Sequence, residues 1–122
     1  MSHSDWLQVL QVTFNAFIRE RDKGLPCISC GTFKGQFHAG HYRSVGGFPE
    51  LRFNEDNVHI QCATCNNYLS GNLIEYRKGL INKIGVDKVE ALENFNQSNK
   101  MTISEIKEKI SSYKLKIKDL KV

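Results

Sequence analysis

Apolar residues recur every three or four positions across residues 5–23, DWLQVLQVTFNAFIRERDK. Trp6, Leu7, Leu10, Phe14, Phe17 and Ile18 fall on one face, which is the spacing of an amphipathic helix. Ser4 is placed to cap its start, and Gly24 with Pro26 to end it. The same period returns beyond residue 67. LIEYRKGLINKIG predicts a helix stopped by Gly85, and VDKVEALENF a shorter one. NQSNK breaks the pattern before Thr102 and Glu105, which have the spacing of a capping box. In the last helix Ile103, Ile106, Ile110, Tyr113, Ile117 and Leu120 step by three and four. This is nearly three heptads of a seam, suited to packing on the domain or to a dimeric coiled coil.

The stretch 27–72 has no helical period. It carries all four cysteines, three of the four histidines and six of the nine glycines. Short strands are expected near 36–43 and 51–54, joined by the turn SVGGFPE. A chain of 122 residues fits one small domain. Its parts are an N-terminal helix (5–23), a central segment (27–72) and a helical C-terminal region (73–122), an α+β arrangement. No apolar run is long enough to span a membrane, and MSHSDWLQ has no secretory pattern. A cytoplasmic location is expected, where thiols bind metal more often than they form disulfides.

Charge sharpens the picture only at the end of the chain. Residues 1–99 hold ten Lys/Arg and ten Asp/Glu, whereas residues 100–122 hold seven lysines and three acids. The net charge of +4 therefore resides in residues 100–122, as a solvated face or as a surface for phosphates.

Cys27-x-x-Cys30 and Cys62-x-x-Cys65 use every cysteine. Two CxxC pairs a few tens of residues apart are the ligand pattern of a structural zinc site, with buried free thiols or a disulfide as the competing readings. A zinc here staples the segment before the strands to the one after them, so the loops between need little core of their own. Asn66 stands in the second pair where Gly31 stands in the first. Asn tolerates the left-handed region, so turn chemistry alone is one account of it.

His38 and His41 lie in QFHAGHYRS, followed downstream by FNEDNVHIQC and CNN. This succession resembles an HNH nuclease with a ββα-metal (His-Me finger) fold, and more closely the phage NinG/Rap recombination endonucleases. The likeness runs over nearly the whole chain and is most specific from Phe37 to Tyr76. It implies His41 as the general base that activates water. It implies Asn57 as the side chain bracing the loop that orients the His41 strand, and Asn66 as a ligand of a catalytic divalent ion, Mg2+ or Mn2+. Many such enzymes carry an Asp or His ligand just before the base. Here that residue is Gly40, and His38 is the nearest replacement. Since positions 38 and 41 point to opposite faces of an ideal strand, a bulge at Gly40 is expected to bring them together. Asp56, Glu55 and His59 are weaker candidates. Arg43, two residues beyond His41, is placed to clamp a phosphate, with Arg52 on the second strand as a lesser candidate.

The resemblance further implies hydrolysis of phosphodiester bonds in branched DNA such as D-loops and Holliday junctions. Products carry 5′-phosphate and 3′-hydroxyl ends. The protein is expected to act in a bacterial host cell as a homodimer, alongside host or phage recombination proteins. Two other functions fit the same residues: an HNH nicking or restriction-like enzyme without branch preference, and a zinc-ribbon DNA-binding module without catalysis.

Overall fold

A computed structural model describes residues 1–122 and arranges them around one antiparallel strand pair, β1 (Phe37–His41) and β2 (Val58–Cys62). Helix α1 (His3–Arg21) precedes the sheet, and α2 (Leu73–Ile84), α3 (Val86–Glu93) and α4 (Ile103–Leu120) follow it. Ser2, not Ser4, caps α1: its hydroxyl accepts from the Asp5 N–H, and the Asp5 carboxylate accepts from the Ser2 N–H. The expected capping box of Thr102 and Glu105 starts α4.

The second strand does not lie at 51–54. Pro49–Leu51 form a single 3₁₀ turn, and Arg52–Asn57 are loop and turn. Pro49 has no N–H to give a ladder, and the Asn54 carboxamide accepts from the Asp56 N–H, an Asx turn that competes with extended backbone. The strand forms instead from VHIQC, directly before the second knuckle. All five of its residues are buried.

The register is continuous, pairing Phe37 with Cys62, His38 with Gln61, Ala39 with Ile60, Gly40 with His59 and His41 with Val58. There is no bulge at Gly40. One face of the sheet turns Ala39 and Val58 toward α1 and α4, into a core of Leu10, Phe14, Phe17, Ile18, Ile106, Ile110 and Tyr113. The α4 seam thus packs within the chain: Tyr113 stands edge-on to Phe14 with ring centroids 5.0 Å apart. Side chains of this size contribute about 1.5–3 kcal/mol each when fully buried.

The other face meets α2. The Tyr76 hydroxyl donates to the Gly40 carbonyl at 2.7 Å, within a second core of Tyr42, Leu51, Leu80, Val89 and Leu92. Between the layers lies the buried Asp22 carboxylate. It accepts from Arg21, from Lys83 Nζ at 2.9 Å and from the Ile60 N–H at 3.0 Å. Burial pushes its pKa up, but these donors outweigh burial and hold it at about 2. The end of α1, the middle of β2 and the end of α2 are pinned to that one carboxylate. No helix is long and apolar enough to cross a membrane.

Candidate metal centre and adjoining cleft

The two knuckles bring Cys27, Cys30, Cys62 and Cys65 together, all four sulfurs lying within 4.8 Å of one another. Cys30 Sγ and Cys62 Sγ are 3.7 Å apart. A tetrahedron with Zn–S bonds of about 2.3 Å has edges of about 3.8 Å, so the spacing suits such an ion. Each knuckle turns a backbone N–H onto its own first sulfur: Cys30 N–H to Cys27 Sγ at 3.5 Å, and Cys65 N–H to Cys62 Sγ at 3.4 Å. Gly31 takes φ 76°, the left-handed geometry that favours glycine. Burial and neighbouring sulfurs push the Cys65 thiol up to about 12, whereas at Cys27 backbone N–H donors outweigh burial and bring the thiol down to about 7, so the cluster favours one thiolate and a cation would be needed to hold more. The cluster can hold a metal ion, and its donor set and spacing suit zinc.

Asn66 does not have the left-handed backbone that the turn account requires. The non-glycine residues with positive φ are Ser70 (50°) and Asn72 (42°). Asn66 lies inside a short π-helical turn, Thr64–Tyr68. Its Nδ2 meets His38 Nδ1 at 3.0 Å, an arrangement that directs the amide oxygen away from the histidine. His38 reaches Asn66 along the α2 side of the sheet, without a bulge.

His41 ends β1. Its Nε2 lies 2.9 Å from the Arg52 carbonyl. A carbonyl only accepts, so Nε2 carries the proton and Nδ1 keeps the lone pair. Burial lowers the His41 pKa, against the opposing effect of the hydrogen bond to the Arg52 carbonyl, and the Arg52 charge lowers it further. Asn57 is fully buried. It accepts from the Arg43 N–H at 2.8 Å and donates to the carbonyls of Arg43 and Leu51, both at 3.1 Å. The segment leaving His41 is thereby tied to the loop whose Arg52 carbonyl holds the ring.

A cleft of about 350 Å³ runs beside these groups, lined by His41, Tyr42, Arg43, Phe48, Asn66, Ser70 and their neighbours. The Arg43 guanidinium lies 3.8 Å from the centre of the Phe48 ring, and its Nε is buried without a hydrogen-bond partner. Arg52 is neither on a strand nor on the cleft. Its Nε donates to Gln11 Oε1 at 2.6 Å, which turns it toward α1. Glu55 is taken up by Tyr113 and Lys116 of α4. His59 is buried with both ring nitrogens engaged, Nδ1 by Arg21 and Nε2 by the Asp56 carbonyl.

Sequence reasoning missed Gln61 and Tyr42. Gln61 is fully buried, with Nε2 donating to Ser29 Oγ and to the Gly71 carbonyl while Oε1 has no partner. A Cβ on Gly40 would stand 2.1 Å from that Oε1. Position 40 cannot carry a ligand because the Gln61 amide fills its space. Tyr42, next to His41, lines the cleft and donates to Glu93, which also pairs with Arg77; its place beside His41 was the available signal.

Comparison with known proteins follows the whole chain. The family described as "Bacteriophage Lambda NinG protein" matches residues 1–122. "Protein ninG" of Escherichia phage lambda is 49% identical over 119 residues, 97% of this chain and 58% of that protein. The proteins of the same name from Escherichia phage 933W and Salmonella phage P22 are each 47% identical over 119 residues, 97% of this chain and 59% of theirs. The chain therefore spans less than two thirds of the length of these relatives. No solved structure matches.

Proposed function

The chain belongs to the bacteriophage lambda NinG family, and from that premise we propose that it is a metal-dependent DNA endonuclease of the HNH type that cuts branched DNA. The observation that carries the reading is the state of His41. It is a half-buried imidazole with Nε2 fixed to the Arg52 carbonyl, the lone pair left on Nδ1, and Asn66 on the same cleft. The strand–strand–helix order of β1, β2 and α2 behind a four-cysteine staple supports a ββα-metal core, with zinc as the structural ion.

In this mechanism His41 Nδ1 takes the proton from the attacking water, its ring orientation set by the Arg52 carbonyl and by Asn57. Arg43, which lines the cleft with its guanidinium over Phe48, would clamp a phosphate oxygen. Asn66 Oδ1 and His38 Nδ1 would hold the divalent cation once the Asn66 amide turned its oxygen toward the histidine and gave up their mutual hydrogen bond. When bound, the cation supplies neutralisation of charge on the phosphate and the departing 3′ oxygen. This mixed oxygen and nitrogen pair suits Mn2+ at least as well as Mg2+. No carboxylate lines the cleft, so tight binding of the cation needs the substrate's own phosphate oxygens.

The test is cleavage of linear, nicked and four-way DNAs of one sequence, with and without Mg2+ or Mn2+. His41→Ala should lose about 10²–10⁴-fold in rate, the usual worth of acid–base help, with fold and DNA affinity retained. Asn66→Ala should be partly restored by excess Mn2+, and Asn66→Asp should keep more activity than Asn66→Ala. Wild-type rates from His41→Ala would refute the assignment. The lack of any carboxylate at Gly40 or along the cleft favours one other reading, a zinc-held DNA-binding module without catalysis. Binding without cation-dependent cutting would establish it. Equal cutting of linear and branched DNA would instead leave an HNH enzyme without branch preference.

A further inference from the structure

Beyond the catalytic groups, the most exposed aromatic ring in the chain stands two residues from Asn66. Tyr68 is 83% exposed, and Leu69, Leu73 and Ile74 near it are 53%, 47% and 76% exposed. The presentation is rigid. Cys65 anchors the turn before Tyr68, and the Gly71 N–H donates back to the Cys65 carbonyl at 2.8 Å. Asn72 Nδ2 donates to Cys65 Sγ at 3.5 Å. The Gly71 carbonyl is held from below by Gln61 at 2.6 Å. Ser70 and Asn72, both at positive φ, keep the chain in a shape that leaves Tyr68 and Leu69 facing water.

We propose that Tyr68 stacks on an unpaired nucleobase of DNA bound at the adjoining cleft. This rests on the nuclease reading above and concerns how that site selects its substrate. Asn66 and Ser70, on either side of Tyr68 in the chain, both line the cleft, while Tyr68 itself faces water, so the ring stands on the turn at the cleft's rim rather than inside it. The ligand chemistry follows from the neighbours. The adjoining cleft contains Arg43 over Phe48 and no acidic residue, so it suits a polyanion that also offers flat apolar faces. In an intact duplex each base is covered by its neighbours. At a branch point or gap a base face is open, and an aromatic side chain can take the missing neighbour's place without regard to sequence. Tyr68 is thus a specificity device for branched over linear DNA, separate from the groups that carry the chemistry.

The test uses the full chain, zinc-loaded, with a four-way junction and a linear duplex of the same arm sequence. Each carries 2-aminopurine at the position nearest the branch or its linear equivalent. Binding is measured with no divalent cation beyond zinc, and cleavage with Mn2+. Tyr68→Ala should weaken junction binding by about 5- to 100-fold, the range of one base–aromatic stack, and abolish the fluorescence change at the branch. Linear binding should stay within about twofold. Tyr68→Phe should retain both signals, because the ring rather than the hydroxyl makes the contact. An equal loss on both DNAs, or no loss on either, overturns the proposal. So does conversion of a dimer to a monomer by Tyr68→Ala, which would mean that a second copy covers the ring. If wild-type protein cuts neither DNA while the Tyr68-dependent fluorescence change persists, the nuclease reading falls and this one stands.

Discussion

Replacing Gly40 with alanine should destabilise the protein substantially, although it looks benign. Gly40 lies mid-strand in β1 without a positive φ, where alanine is ordinarily better than glycine by roughly 0.5–1 kcal/mol. Space reverses the sign. The new Cβ would stand 2.1 Å from Gln61 Oε1, 2.9 Å from its Cβ and 3.0 Å from its Cδ. Gln61 cannot swing aside freely: it is fully buried and donates to Ser29 Oγ at 2.9 Å and to the Gly71 carbonyl at 2.6 Å. Moving it strands two buried acceptors at about 1–3 kcal/mol each, a net loss of about 1–5 kcal/mol after the strand gain. Unfolding entropy of about 2.1 cal/mol/K per residue over 122 residues converts this to a fall in Tm of about 4–20 °C. Circular dichroism melts of zinc-saturated protein read it directly. Gln61→Ala alone should also be costly, but Gly40→Ala added to it should cost little more, because the obstacle has gone. A Gly40→Ala protein melting within about 2 °C of wild type, or above it, would refute the packing argument. Gly40→Asp, which installs the ligand that the resembled nucleases carry, should be tolerated only together with Gln61→Ala.

Three further outcomes are expected. Cys62→Ser should abolish stoichiometric zinc, read by metal analysis, and lower Tm sharply, since structural zinc contributes folding energy outright. Folded wild-type protein purified without zinc would contradict this. Burial, aided by the Lys83 charge, lowers the His59 pKa from 6.5 to about 4; the unfolded chain therefore binds the proton more readily, and stability present above pH 6.5 falls away as pH drops toward 4, by up to about 3 kcal/mol. His59→Gln should be weaker than wild type at pH 7 but lose less between pH 7 and 5 in urea titrations, and parallel pH profiles would exclude His59 as the cause. On α4 and its C-cap, Lys107, Lys114, Lys118 and Lys121 are exposed and fall within one narrow stripe about 21 Å long; with Lys114→Gln and Lys118→Gln the slope of log affinity for duplex DNA against log salt should shrink by about 1.8, whereas an unchanged slope would leave the stripe as solvated surface.

The helices were legible in the sequence because each buries one simple stripe against one neighbour. Leu10, Phe14, Phe17 and Ile18 of α1 meet Ile106, Ile110 and Tyr113 of α4, and the three-and-four period records this directly. The two knuckles were legible because four thiols at ligand spacing have few other uses. Strand β2 was not. VHIQC alternates apolar and polar residues, the pattern of a strand wet on one side, yet both sides are buried. His59 and the Gln61 Nε2 find partners in Arg21, Ser29 and Gly71, and Arg21 and Ser29 lie more than thirty residues back along the chain. A local reading sees the polarity and cannot see the partners.

The candidate site divides the same way. The resemblance led to Asn57, and its bridge between Arg43 and Leu51 is a short-range matter of one carboxamide and three backbone groups. It also exposed Gly40 as a departure, without a reason. The reason lies across the sheet. The Gln61 amide needs the volume a side chain at position 40 would take, and from there it holds both Ser29 in the first knuckle and Gly71 in the turn after Tyr68. Giving up a ligand at position 40 therefore gains a buried strut joining the metal staple to the turn that borders the cleft. Rigidity between the cysteine cluster and the turn bordering the cleft then depends on Gln61, and on the proposed nuclease reading the cation would be left to Asn66, His38 and the substrate's own phosphate. A site built so should bind its cation weakly alone and tightly only with DNA present, and Mn2+ titrations with and without a junction would measure that difference. Equal affinity in both would mean that the substrate supplies no ligand.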